Sequence, residues 1–510
     1  MAAEGSDNPT PVPPTDQPGL FRNLISLIGA VIAVIAAANI ALLVFVDFVS
    51  PRPSPYIGIL AYMVLPGFLV LGLVLIPIGM LLERRRRRKQ KPSMTRFPTV
   101  DFNNPRQRST FAAVVTFTAV FVALSAAGSY RAYEYTDSVQ FCGQLCHSVM
   151  NPEFVAYSAS PHARVRCVDC HVGAGAGWYV RSKLSGAYQV YAVAFNKYPK
   201  PIPTPVHNLR PAPETCEQCH WPKRFYGAQL KVFYHFGSDE KNTPRQIRLL
   251  INTGGGDPDT GQPSGIHWHM NIGNEITYIA TDEHRQTIPW VQVKDLQGRV
   301  TVYQSKDSPL KPEQIEKASK RRMDCVDCHN RPTHIYVPPD RSVDESLLAR
   351  RIDASLPFIK AQAVSALTGT YNSTPEALQG IATEMQKFYQ EKYPQIAASK
   401  QHEIKQAITE VQAIFQRTIF PEMKVDWKTH PSNIGHFLSA GCFRCHDGNH
   451  VSAEGKVVSK ECNACHTVLS EAESGVPIMG SATGIQFKHP VDLGDMTQVN
   501  CADCHTGGPM

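Results

Sequence analysis

The chain has 510 residues, enough for two to four domains. A hydrophobic content of 43% and a formal net charge of +7 conceal two asymmetries: the apolar runs are concentrated before residue 130, and Arg84 to Lys91, RRRRRKQK, supplies most of the excess charge. That basic run lies at the edge of an apolar stretch, where membrane topology accounts for it, so a nucleic-acid partner is not expected.

In chain order, residues 1–20 are polar and Pro-rich and predict a disordered cytoplasmic N-terminus. No short apolar segment with a small-residue cleavage site follows, so a cleaved leader is not expected. Leu24–Val46 and Ile57–Leu82 are each long enough to cross a bilayer, at roughly 20 residues per span. Phe111–Gly128 is shorter and carries no charge. Together they predict three transmembrane helices within 21–129. Arg84 to Lys91, with Arg96, Arg106 and Arg108, lie between the second and third runs, whereas the loop from Val49 to Tyr56 has only Arg52. The positive-inside rule then places the loop 83–110 in the cytoplasm and everything after Tyr130 outside. Pro66 and Pro77 are expected to kink the second helix or end it early.

Beyond Tyr130 all 14 cysteines fall in seven close pairs, and a histidine follows the second Cys of each. The strings are CGQLCH (Cys142, Cys146, His147), CVDCH (Cys167, Cys170, His171), CEQCH (Cys216, Cys219, His220), CVDCH (Cys325, Cys328, His329), CFRCH (Cys442, Cys445, His446), CNACH (Cys462, Cys465, His466) and CADCH (Cys501, Cys504, His505). C-x-x-C-H is the attachment sequence of c-type haem: two thiols form thioethers with the porphyrin and the adjacent imidazole ligates the iron. Zinc knuckles, redox pairs or disulfides do not require a histidine after every second cysteine. Seven covalently bound haem c groups are predicted, with His147, His171, His220, His329, His446, His466 and His505 as proximal ligands. In bacteria the attachment occurs outside the cytoplasmic membrane, which agrees independently with the basic-loop topology. The expected location is the bacterial inner membrane, multi-pass, with the haem domains facing the periplasm. Six motifs have two residues between their cysteines; the first has three.

Close-set motifs force haem plates together under a thin protein coat, so the expected fold is mainly α with little regular structure: short helices on each motif and Pro-rich connectors such as Tyr198–Pro205. Residues 130–340 form a four-motif part. Within it Arg248–Asn252, Glu275–Ala280, Pro289–Val293 and Arg299–Gln304 are short β-type runs, which predict a small β-rich insert over 225–310. From 341 to 420 the apolar residues recur at three- and four-residue steps, predicting a helical spacer. Residues 421–510 hold the last three motifs. His267 and His269 in GIHWHMN (Gly265–Asn271) are expected on a strand-like segment, side chains on the same face, with one reaching the fourth haem. Of His430, His436, His450 and His489, at least three are expected to ligate the last three haems. His207, His235, His284 and His402 are expected to be surface or core residues.

The run from Tyr130 to His334 resembles the NapC/NirT/NrfH family of membrane-anchored quinol dehydrogenases. An apolar helix leads into FCGQLCHSVM, then SPHARVRCVDCH (Ser160–His171), ETCEQCH (Glu214–His220) and CVDCHNRPTH (Cys325–His334), the last similar to the family's CIDCHKGIAH. With its extra spans and C-terminal motifs the chain is most similar to the seven-haem inner-membrane cytochromes of metal-respiring bacteria. The resemblance implies a first haem at the membrane surface beside the quinol, with His162 a distal ligand of the third haem and His334 of the second. It also implies a quinol-contacting Lys, which falls at Lys183, with Arg181 the alternative. Two features depart from the family. The first motif is C-x3-C-H with Met150 three residues past His147 rather than two, so His147 and Met150 both stand as candidate ligands. The stretch Tyr191–Pro201 also lacks the family's acid near the first haem.

The function expected from these residues is oxidation of (mena)quinol, with delivery of electrons to periplasmic cytochromes c. Lys183 would bind the quinol oxygen and favour loss of its proton. The membrane quinone pool and the lipid bilayer are the other partners. The alternatives are a haem-wire subunit of a larger membrane complex, and a terminal reductase of nitrogen or sulfur oxyanions, which a CxxCK motif would favour and this chain lacks.

Overall fold

The computed structural model describes residues 20, 23–49, 65–89, 101–145, 147–172, 176–206, 209–221, 227–254, 265–270, 274–473, 479–489, 491, 494 and 499–509. The N-terminal segment 1–19, the middle of the basic loop and Cys146 lie outside them. The chain divides into two compact units, Met1–Tyr133 with Ala174–Lys183, and Glu134–Gly173 with Leu184–Met510.

In the first unit two helices, Leu24–Val49 and Leu65–Arg88, are long and apolar enough to cross a membrane. They approach each other through small residues. A methyl group on Gly29 would sit 2.7 Å from the Gly72 carbonyl oxygen, and one on Gly72 would sit 2.6 Å from that of Gly29. Such backbone contact is how helices associate where lipid offers no hydrophobic drive. Ser26 Oγ adds a hydrogen bond to the Ile76 carbonyl at 2.8 Å. Val34, Leu42, Phe68 and Val70 point outward and are more than half exposed. Pro66 stands in the first turn, where its missing N–H costs nothing, and Pro77 lies inside the helix without ending it. The third predicted run lies within a long helix, Pro105–Thr136.

The second unit contains every motif. The four predicted β runs all form strands, and Gln229–Phe236, which alternation did not single out, forms a fifth. The strands are β1 (Gln229–Phe236), β2 (Pro244–Ile251), β3 (Glu275–Ile279), β4 (Trp290–Lys294), β5 (Val300–Ser305), β6 (Arg321–Arg322), β7 (His450–Ser452), β8 (His466–Glu473) and β9 (Met479–Gly480). They make two antiparallel sheets, of order β1-β2-β8-β9 and β6-β3-β4-β5-β7. The insert therefore pairs with strands from the C-terminal part: Ile251 stands opposite His466, and Ser305 opposite His450. The spacer is helical over Pro339–Leu348, Ile359–Leu367, Thr374–Lys392, Pro394–Ser399 and Gln401–Thr418. Its apolar stripes meet in one core that includes Leu356, Ile381, Met385, Val411 and Phe415.

Motif composition decides motif conformation. In Cys167–His171, Cys325–Cys328 and Cys501–Cys504, which are α-helical, an Asp precedes the second Cys. Its carboxylate reaches back to the backbone N–H just before the first Cys: Asp169 to Arg166 at 3.3 Å, Asp327 to Asp324 at 2.8 Å and Asp503 to Asn500 at 3.1 Å. That bond satisfies a donor the helix start would otherwise orphan. CEQCH, CFRCH and CNACH lack the Asp and adopt the tighter 3-10 turn at Cys216–Gln218, Gly441–Arg444 and Cys462–Ala464. The first motif's extra residue is absorbed by a π-helical turn, Phe141–Leu145, whose wider i→i+5 period accommodates one more residue per turn. Gly143 is required there, since any side chain would collide with the ring of Phe154.

Candidate functional site

Six of the seven motif histidines face a second histidine across a nearly constant gap. Ring centres are 6.2 Å apart for His171 and His334, 5.9 Å for His220 and His162, and 6.3 Å for His329 and His267. They are 5.8 Å apart for His446 and His269, 6.2 Å for His466 and His436, and 6.1 Å for His505 and His489. Rings stacked face to face with nothing between them are closer: Phe443 lies 4.2 Å from His436, and Phe437 lies 4.3 Å from His505. A metal between two imidazole nitrogens, at about 2 Å from each, puts the ring centres roughly 6 Å apart. The residues therefore fit an iron held by two histidines at each of six motifs.

The outer bonds of these rings point the same way. A carbonyl oxygen can only accept, so each Nδ1 on a carbonyl carries the proton and leaves Nε2 its lone pair. His334 donates to the Glu153 carbonyl at 3.1 Å, His162 to that of Pro332 at 3.3 Å and His269 to that of Ile266 at 2.7 Å. His267 donates to the Thr253 carbonyl, and the proximal His446 to that of Ser459 at 2.8 Å. Burial holds His171, His269 and His334 below the usual histidine range, which keeps them neutral as ligation requires.

The motifs are neighbours in chain order. A hydrogen bond with Cys142 brings the Cys167 thiol down to about 7. Burial raises Cys170, Cys325, Cys328, Cys465 and Cys501, and each is raised further by a thiol of an adjacent motif. Those neighbours are Cys216 and Cys219 for Cys170, Cys216 for Cys325, Cys442 for both Cys328 and Cys465, and Cys462 for Cys501. A cavity of about 2900 Å³ runs along motifs four to seven, lined by His267, His269, His329, His446, His466 and His505 among others. Ordinary small-molecule pockets reach roughly 1,000 Å³.

Two sequence expectations are corrected, the first at His450: among the described side chains neither His430 nor His450 faces a motif histidine as the six pairs do. His450 is almost fully buried and uses both ring nitrogens, Nδ1 on the Asp447 carboxylate at 2.9 Å and Nε2 on the Ile288 carbonyl at 2.7 Å. A ring donating from both nitrogens has no lone pair for a metal. Burial opposes that protonation, but the Asp447 and Ile288 acceptors outweigh it and raise the pKa. His430 is buried too, with Nδ1 3.1 Å from Thr204 Oγ1, and burial brings it down to about 4. Of His430, His436, His450 and His489, His436 and His489 face a motif ring among the described side chains, and His446 faces His269 from the insert. The second correction concerns GIHWHMN, which forms a 3-10 turn, Ile266–Met270, rather than a strand.

Lys183 lies on the helix Ala176–Ala194, and His147 and Met150 on the helix His147–Ser158. The side chains of Lys183 and His147 are outside the described residues. Sequence reasoning missed Asp327. This buried carboxylate inside the fourth motif accepts from Tyr278 Oη at 2.7 Å, Arg285 Nη1 at 3.2 Å and Arg321 Nε at 2.8 Å. Its backbone carbonyl accepts from Arg444 of the fifth motif at 2.9 Å. The Asp shared by CVDCH and CADCH was the signal available, but three arginine and tyrosine partners scattered along the chain were not.

Residues 104–202 match the N-terminal region of the NapC/NirT cytochrome c family. Over 489 residues the chain is 47% identical to the cytochrome c-type protein ImcH of Geobacter sulfurreducens, covering 96% of each chain. No solved structure matches. Attachment motifs, facing imidazoles, apolar helices and this likeness agree: the chain belongs to the membrane-anchored multihaem cytochromes c of the NapC/NirT family, which bind haem c covalently for electron transfer.

Proposed function

We propose that this protein oxidises menaquinol at the outer face of the bacterial inner membrane and delivers the electrons to periplasmic electron carriers, with one haem c on each of its seven motifs. When bound, the haems supply one-electron redox couples. The chain's own residues set ligation, order and spacing. The carrying observation is the row of six facing imidazole pairs on motifs that neighbour one another in chain order. In this reading His162, His267, His269, His334, His436 and His489 are distal ligands, and the first motif, with His147 and Met150 as candidate ligands, differs from the rest in its C-x3-C-H spacing. It is also the motif that follows directly on the helix Pro105–Thr136 with its apolar run, which supports a quinol-facing role. Lys183 binds the quinol oxygen in this proposal and, as a cation, favours loss of the quinol proton.

The test is anaerobic mixing of the purified full-length protein in detergent with a menaquinol analogue, following haem absorbance. Haem reduction is expected, slowed at least roughly tenfold in Lys183→Ala. No reduction by the intact protein would favour a wire subunit served by another quinol-oxidising chain. Reoxidation by nitrite above background would favour a reductase.

A further inference from the structure

We propose that the single turn Ile266–Met270 holds two different irons, His267 that of the fourth motif and His269 that of the fifth, making the β-rich insert the connector between the group of four motifs and the group of three. This rests on the multihaem reading above and adds to it the joint between the two groups.

The turn's conformation is what makes two targets possible. On a strand, residues two apart share a face, and both rings would have aimed at one site. On a 3-10 turn, with three residues per turn, residues two apart diverge by about 120°. His267 accordingly faces His329 at 6.3 Å, and His269 faces His446 at 5.8 Å. Each ring is held from behind by a backbone carbonyl, of Thr253 for His267 and of Ile266 for His269. Between them Trp268 packs against the cluster of Ile276, Tyr278, Ile288 and Val291, so the turn cannot roll to give both rings to one side.

The turn is also fixed relative to the motifs it would join. Ile266 N–H donates to the Asn252 carbonyl at 2.7 Å, and His267 N–H to that of Gly254 at 3.0 Å. Asn252 N–H in turn donates to the carbonyl of Cys465 in the sixth motif at 2.9 Å. Gly265, at φ +79°, lets the chain enter the turn, since a methyl group there would lie 2.6 Å from the Asn252 carbonyl oxygen. Strand β6 runs into the fourth motif, with Met323 N–H on the Ile276 carbonyl at 2.8 Å, and β7 leaves the fifth. The same sheet thus carries both motifs, and one turn carries both distal rings.

The two pairs differ in a property that can be read separately. The planes of His267 and His329 are nearly parallel, at 4°, whereas those of His269 and His446 are nearly perpendicular, at 79°. Parallel imidazoles split the iron d orbitals and give a rhombic low-spin ferric signal, while perpendicular ones leave them nearly degenerate and give a strongly anisotropic one. Electron paramagnetic resonance of the oxidised full-length protein, with intact mass to count haems, is the experiment. His267→Ala should keep every attached haem, convert one low-spin haem to high-spin and remove a rhombic signal. His269→Ala should do the same to a strongly anisotropic signal, and added imidazole should restore each. Where alanine costs the fold, His267→Met and His269→Met should each give one sulfur-to-iron charge-transfer band and stay low-spin. Unchanged low-spin signals in either alanine variant, loss of one and the same signal in both, or methionine variants without the new band would overturn the proposal. A wild-type protein that shows both signals but takes no electrons from the quinol analogue would sink the quinol reading and leave this one intact.

Discussion

The helical spacer and the C-terminal three-motif part are adjacent in sequence and opposite in construction. In the spacer, Leu356, Ala363, Ala377, Ile381, Met385, Val411 and Ile414 are wholly buried, packed against one another by interlocking helix stripes. Between residues 426 and 509 the described residues bury one hydrophobic side chain, Val468. Apolar side chains are not scarce there. Ile434, Phe437, Leu438 and Phe487 line the long cavity instead of touching a protein core. A polypeptide that buries so little apolar surface of its own cannot offset the entropy of ordering its chain. In the proposed reading haem c attached to the last three motifs would supply that core, whereas the spacer is the part of this unit whose core is made of its own side chains.

The most severe way to break that comparison is to stop attachment in one region only. Replacing Cys442, Cys445, Cys462, Cys465, Cys501 and Cys504 by Ser should leave the last 80 or so residues open to protease while the spacer core survives. Limited proteolysis followed by mass spectrometry should yield a resistant fragment near 339–420. A C-terminal part that stays resistant without attachment would show that it has a core of its own. The converse cut is a core truncation in the spacer. Met385→Ala and Phe415→Ala should each cost about 2–5 kcal/mol, read as loss of hydrogen-exchange protection in the helices Thr374–Lys392 and Gln401–Thr418. The haem absorption spectrum should not change.

Between these extremes lies Asp327, where a polar hub does the work that apolar packing does in the spacer. Asp327→Ala leaves the Arg285 and Arg321 guanidinium groups and the Tyr278 hydroxyl without their shared acceptor, and should cost roughly 3–5 kcal/mol. Tyr278→Phe removes one of those bonds alone and should cost about 1 kcal/mol. The readout is exchange protection of β3 and β6, which flank the motif. Equal effects of the two variants would mean that the arginines find other partners.

How far the sequence could be read follows the same division. The spacer was legible because its helices repeat a three- and four-residue apolar step over long stretches, and helix existence is what such a step reports. The motifs were legible because covalent attachment needs a fixed string. What was not legible is which histidine faces which motif. His267 and His269 were expected on one face of a strand with one of them reaching the fourth motif, and only the 3-10 turn, set by Gly265 and by carbonyls contributed from Asn252 and Gly254, turns His269 away from His267. His450 stood close enough in sequence to the fifth motif to be expected as a ligand. It is removed by Asp447 and by a carbonyl from Ile288, more than 150 residues away in the chain. Long-range contacts chose among histidines that local pattern ranked alike.

The smallest expected effect sharpens the contrast from the spacer's side, because there a charge trims a stability that packing has already provided. Glu410 accepts from Ser346 Oγ at 2.8 Å, Arg351 Nε at 2.8 Å and Arg417 Nη2 at 3.1 Å. Burial opposes its ionisation, and these three donors outweigh it, so the pKa is lowered. A carboxyl whose pKa is lower folded than unfolded stabilises above its unfolded value and loses that contribution as pH falls through the folded one. Both guanidinium groups are about half exposed and screened by water, so Glu410→Gln should cost only about 0.5–1 kcal/mol at pH 7. Hydrogen exchange in the helix Gln401–Thr418 should show that difference near neutrality and show it shrink once the pH drops below about 4. A difference independent of pH would mean that Glu410 acts by shape and hydrogen bonding alone.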